Sequence, residues 1–157
     1  MKEDTRNRAN EFIKDRILRL SWEDAQELVA GILRAMGYKT KIVPKGLDRG
    51  KDIEASRDGL GLEDPKIVVQ VKHREGQIGA HQVRSFIGIL RPGQKGLFVS
   101  SGGFSKEARY EAERSNFALT LIDLDDLVGL LIQYYDNFDS ETRTLLPLTK
   151  IYWLEQL

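Results

Sequence analysis

Apolar residues recur along the chain in two rhythms, one helical and one alternating, and the switches between them mark out the elements. Over residues 2–19 the apolar positions are sparse, Phe12, Ile13, Ile17 and Leu18 with Leu20 just beyond, in a strongly charged surround. That predicts a helix packed on the outside of the domain. Ser21-Trp22-Glu23-Asp24 has the form of a capping box with Asp in place of Glu, and Trp22, Ala25, Val29, Ile32, Leu33 and Met36 follow at helical spacing until Gly37, a residue suited to the position just past a helix end. Tyr38 to Val43 reads as a short strand closed by the turn residues Pro44, Lys45, Gly46 and Asp48, Arg49, Gly50. A second strand is predicted over 51–56, a loop over 58–65, and a β-branched third strand over 66–72.

After Gln77-Ile78-Gly79 the helical rhythm returns over 80–90, with Val83, Phe86, Ile87 and Leu90 on one face, and a buried strand follows over 96–100. Ser105 caps a third helix reaching residue 116, residues 118–122 form a last core strand, and Asp123 caps a helix running through Tyr135. The order α-βββ-α-β-α-β-α predicts an α/β sandwich, a central mixed β-sheet flanked by helices. At 157 residues the chain suits one compact domain. The reading divides it into an N-terminal helix over 1–20, the domain proper over 21–135, and a tail over 136–157. Leu145-Leu146-Pro147-Leu148 and Ile151-Tyr152-Trp153 pack that tail on the domain.

Composition narrows the function classes. Cysteine is absent and histidine occurs twice, which excludes disulfide frameworks and thiolate zinc sites and argues against a histidine-built metal cluster. The N-terminus lacks a signal-type apolar core and no stretch approaches the ~18 apolar residues of a membrane span, so a cytoplasmic protein is expected. Lys plus Arg and Asp plus Glu both number 24. The total cancels, but its distribution does not: residues 1–99 carry 19 basic against 14 acidic side chains, and 100–157 carry 5 against 10. From Ile32 to Lys95 the count is 13 against 7. Such a basic middle is the footprint that phosphates select, and equally what a scatter of solvated charges produces.

The third strand, Lys66-Ile67-Val68-Val69-Gln70-Val71-Lys72, sets two long polar side chains in an apolar run. Alternation sends Ile67, Val69 and Val71 to one face and leaves Gln70 and Lys72 on the other, about 7 Å apart. An ammonium there needs a compensating group. Asp52 on the neighbouring strand is the natural one. A carboxylate, a side-chain amide oxygen and a lysine at this spacing suit phosphodiester hydrolysis: the two oxygens share a hard cation such as Mg²⁺, and the lysine positions the nucleophile or stabilises the pentacovalent state. Asp on a strand near an edge and Lys at a strand end are also ordinary surface features, so spacing alone leaves both readings open.

Four segments in register narrow the choice: Glu27-Leu28-Val29-Ala30 with Met36-Gly37-Tyr38; Gly46-Leu47-Asp48-Arg49-Gly50-Lys51-Asp52-Ile53; Val69-Gln70-Val71-Lys72; and Ser100-Ser101-Gly102-Gly103-Phe104-Ser105-Lys106-Glu107-Ala108. Together, from about Trp22 to Tyr135, they resemble the catalytic domain of Mrr-like restriction endonucleases, a branch of the PD-(D/E)xK nuclease superfamily. The resemblance implies a restriction-endonuclease-like fold and a Mg²⁺-dependent DNA endonuclease of restriction type, with Mn²⁺ as an alternative ion and modified DNA as one substrate class. It makes Asp52 the metal-binding Asp, Gln70 the residue this branch has in place of a second acid, and Lys72 the catalytic lysine.

The implied partner is double-stranded DNA, cut by a homodimer because one site cuts one strand, with a separate specificity subunit as a further partner. Gln26 stands where the family often has Glu, and on a helical wheel it borders the apolar stripe whereas Glu27 points away. Lys51 replaces a usually apolar residue and Arg49 a frequent Gly. Asp48 matches the family's loop Asp or forms a turn. His73 and Arg74 are placed either at DNA phosphates or in solvent, and His81 at a helix start as a surface or capping residue. Gly102-Gly103-Phe104-Ser105 offers amides to a phosphate or serves as a plain N-cap. Trp22, Tyr152 and Trp153 read as packing residues. A nuclease-fold module that binds DNA or a partner without cleaving is the alternative.

Overall fold

In the computed structural model, which describes residues 2–46 and 50–155, five strands lie in one sheet in chain order. They are β1 (Lys39–Ile42), β2 (Ile53–Ser56), β3 (Lys66–Lys72), β4 (Gln94–Ser100) and β5 (Leu119–Ile122). β1, β2 and β3 are antiparallel neighbours, whereas β3, β4 and β5 run parallel. Parallel neighbours need crossovers, and helices supply them. α1 (Lys2–Arg19) and α2 (Trp22–Ala35) precede the sheet; α3 (Ala80–Ile89) and α4 (Lys106–Glu113) bridge the parallel strands; α5 (Leu124–Tyr134) and α6 (Ser140–Leu145) follow them. The α/β sandwich with a mixed sheet is the architecture expected from the residue pattern.

Local chemistry explains the boundaries. Ser21 Oγ accepts the Asp24 N–H at 3.1 Å and starts α2, and Gly37 ends it with φ +103°, a conformation costly for any residue with a Cβ. Ser105 and Asp123 cap α4 and α5 in the same way. Alternation along the strands divides the core between the two faces of the sheet. Ile53, Ala55, Val69, Val71 and Val99 meet α2 and α5 on one face. On the other, Val68 and Phe98 meet α3 and α4, with the Phe98 ring edge-on to Phe86 and Phe104 at centroid distances of 5.2 and 5.5 Å. Truncating a buried aromatic in such a cluster costs about 3–5 kcal/mol.

Three expectations need correction. Ile13 and Ile17 of α1 are buried in the core with α2 and α5, so this helix is part of the packing while Phe12 and Leu18 stay exposed. The tail contains a 3₁₀ turn (Tyr135–Asn137) and α6, neither expected from so short a pattern. The Tyr135 hydroxyl donates to the Leu146 carbonyl at 2.6 Å and accepts the Leu148 N–H at 2.7 Å, which ties the chain down as far as Leu148. Past that clamp Tyr152 and Trp153 are 89% and 49% exposed and do not act as packing residues. Among the described residues no helix is long and apolar enough to cross a membrane.

Candidate active site

β2 and β3 part company at Asp52. Their ladder registers Ala55 with Ile67, Glu54 with Val68 and Ile53 with Val69. One residue earlier the Asp52 N–H still donates to the Val69 carbonyl at 2.8 Å. β3 continues to Lys72 without a β2 residue opposite, which would orphan the Val71 amide and carbonyl on that side. Side chains meet both. Asp52 Oδ2 accepts the Val71 N–H at 2.7 Å, and the Trp22 indole Nε1–H reaches the Val71 carbonyl at 3.4 Å. The carboxylate is therefore lodged in the fork between the strands, 7% exposed, against the peptide that joins Gln70 to Val71.

Lys72 lies one residue further along, and alternation puts it on the same face as Gln70. Both are half-buried. Lys72 forms no ion pair among the described residues, although it follows the buried Val71 at the end of the strand. Ser100 is its register partner on β4, fully buried, with a hydroxyl that has no hydrogen-bond partner. Gln26 enters from α2. It is 4% exposed and its Nε2 donates to the Asp52 carbonyl at 3.0 Å, so the helical-wheel choice of Gln26 over the exposed Glu27 gives the right orientation. Hydrogen bonds thus link Gln26 to Asp52, and Asp52 to the main chain between Gln70 and Lys72.

Other candidates are placed elsewhere or spoken for. His73 Nε2 faces the Leu20 carbonyl at 2.7 Å and Nδ1 faces the Ser101 hydroxyl at 3.0 Å. A carbonyl only accepts, so Nε2 carries the proton and the ring ties the α1–α2 corner to the strand ends rather than facing a phosphate. Arg74 and His81 are exposed on the following segment. The Gly103 carbonyl accepts the Ile78 N–H, and Ser105 caps α4, which favours the structural use of this turn. Lys51 pairs with Glu54 at 2.8 Å. Asp48 and Arg49 lie outside the described residues. Trp22 was missed as a polar participant, and it also lies under the Lys45 ammonium at 4.8 Å from the ring centroid; a Trp in the first helical turn carries no sequence signal for either bond.

A profile of the restriction endonuclease family, of the Mrr catalytic-domain type, matches residues 17–131, which include the whole fork and its surroundings. The chain belongs to the restriction endonuclease family. Among solved structures it is similar to the DNA modification-dependent restriction endonuclease AspBHI, with 17% identity and a TM-score of 0.64 over 88% of this chain and 38% of that one. It is also similar to the MspJI restriction endonuclease in complex with a 27-mer oligonucleotide, with 20% identity and a TM-score of 0.53 over 92% of this chain and 35% of that one. The family domain thus spans little more than a third of the length of either protein, and at these identities the likeness establishes the restriction-endonuclease-like fold. No curated protein matches the chain.

Proposed function

We propose that this chain is a divalent-cation-dependent DNA endonuclease whose reacting groups are Asp52, Gln70 and Lys72. The observation that carries the reading is the buried Asp52 carboxylate bonded to the Val71 amide, with Gln70 and Lys72 on either side of that residue. The donor set suits Mg²⁺, which binds through one or two carboxylates, retains waters and completes its shell with substrate phosphate. Asp52 and the Gln70 amide oxygen would hold the ion, which when bound lowers the pKa of water and neutralises phosphate charge.

The protein's own part is positional and electrostatic. The Val71 amide and the Gln26 bond to the Asp52 carbonyl fix the carboxylate before substrate arrives. Lys72 stabilises negative charge on the reacting phosphate. A neutral amide in place of a second acid gives weaker cation affinity than a two-acid site. One site cuts one strand; cutting both requires two copies on the duplex, or two events.

Supercoiled plasmid incubated with Mg²⁺ or Mn²⁺ is expected to become nicked and then linear. Asp52→Ala and Lys72→Ala are each expected to lower the rate by at least about a hundredfold while thermal unfolding stays cooperative. Cleavage that survives either change overturns the assignment. A salt-sensitive gel shift without any product would instead support the non-cleaving module. Comparing unmodified and 5-methylcytosine plasmid tests the modification-directed form of the reading.

A further inference from the structure

The sheet face that carries Gln70 and Lys72 is covered by α3 over Val68 and Phe98, and beyond that helix a cleft bounded by the Gly59–Gly61 turn is lined with lysines. Lys39 pairs with Ser56 and Lys41 with Glu54 across β1 and β2, while Glu54 pairs with Val68 and Lys66 with Gln94 further across the sheet. One step beyond the Ala55–Ile67 pair, Lys66 lies beside Ser56. Pairing and alternation therefore set Lys39, Lys41 and Lys66 on the same face as Gln70 and Lys72. They border a cleft of about 270 Å³ whose only acidic lining residue, among those described, is Glu54. That carboxylate is already paired with Lys51. Lys39 and Lys41 are exposed, Lys66 is half-buried, and none of the three forms an ion pair among the described residues. In a chain with equal numbers of basic and acidic side chains, three unpaired ammonium groups around one cleft form a local positive field.

We infer that this cleft holds the phosphate backbone of duplex DNA away from the cleavage point; the choice of DNA as occupant rests on the nuclease reading of the site. Lys66 and Lys72 are six residues apart on one strand, about 20 Å. An acidic peptide would satisfy the same charge, and its displacement of DNA is one outcome of the test.

The test measures binding without catalysis. Anisotropy of a labelled duplex of about 30 base pairs is followed in EDTA at several salt concentrations, using wild type and the triple variant K39Q/K41Q/K66Q. The variant is expected to bind at least about tenfold more weakly, with a log–log salt slope shallower by about 2–3, because each phosphate contact contributes close to one. A triple Lys→Arg variant keeps the wild-type affinity. The charge-matched variant R6Q/R8Q/R114Q, altered at exposed positions elsewhere, shifts affinity by less than about threefold. Absence of duplex binding by wild type, equal binding by K39Q/K41Q/K66Q, equal weakening by the control, or displacement of DNA by polyglutamate at matched charge each overturns the inference. Failure of the nuclease reading registers separately, as plasmid that stays intact with Mg²⁺ while the lysine dependence of binding persists.

Discussion

Ser100 shows how a single atom departs from the rules that the rest of the core obeys. Its hydroxyl is buried beside Lys72 with nothing to bond, although buried polar groups are almost always paired. Removing an unpaired hydroxyl removes its desolvation cost, so Ser100→Ala is expected to leave stability unchanged or raise it by up to about 1 kcal/mol in urea denaturation. A loss of more than that would show that the hydroxyl has a partner in solution. At this scale much of the site was legible in sequence. The period of a strand fixes Gln70 and Lys72 on one face, and the period of a helix turns Gln26 inward. The Trp22 bond was not legible, because it exists only where β2 stops short and leaves the Val71 carbonyl without a partner.

Among elements, the segments after β3 and β4 behave as one. Ser101 donates its N–H to the Lys72 carbonyl, Ile78 bonds to Gly103, Ser105 bonds to Ile78, and an isolated parallel bridge joins Ile78 to Phe104. The parallel pairing thus resumes beyond the strand ends and sets the starts of α3 and α4 side by side. Gly102 makes this approach possible: a Cβ there would lie 2.1 Å from the Gly76 carbonyl oxygen and 2.7 Å from that of Arg74, and backbone cannot rotate out of the way. Gly102→Ala is expected to cost about 2–3 kcal/mol and to speed hydrogen exchange at the Ile78 amide; a change under about 0.5 kcal/mol would show that the two segments separate freely. The sequence shows a Gly pair before a helix cap, but not what presses on it. α6 was illegible for a similar reason: six residues carry too little pattern, and the helix depends on Arg34 of α2, whose Nε meets Asp139 at 2.9 Å.

For the whole molecule, that α2–α6 junction sets part of the acid limit. The Thr142 hydroxyl and amide donate to the Asp139 carboxylate, and Arg34 adds its charge, holding the group at about 2 against an ordinary 3.8. A carboxylate depressed by folding adds stability above its unfolded value and loses it as pH falls from about 4 towards 2. Partial exposure limits the effect to about 1 kcal/mol or less. Asp139→Asn is expected to flatten the fall of Tm between pH 4 and 2, and an unchanged slope would locate the acid sensitivity elsewhere. The layered architecture was readable because each element keeps its own period, whereas boundaries set by distant partners were not. Asp52 belongs to both classes of feature, since it is the proposed metal-binding group and also the acceptor that closes the end of β3. A lineage that gave up cleavage would therefore not drift freely at this position: an apolar replacement orphans a main-chain amide, and the inactive descendants that survive should carry Asn or Ser there, fossils of a chemistry no longer practised.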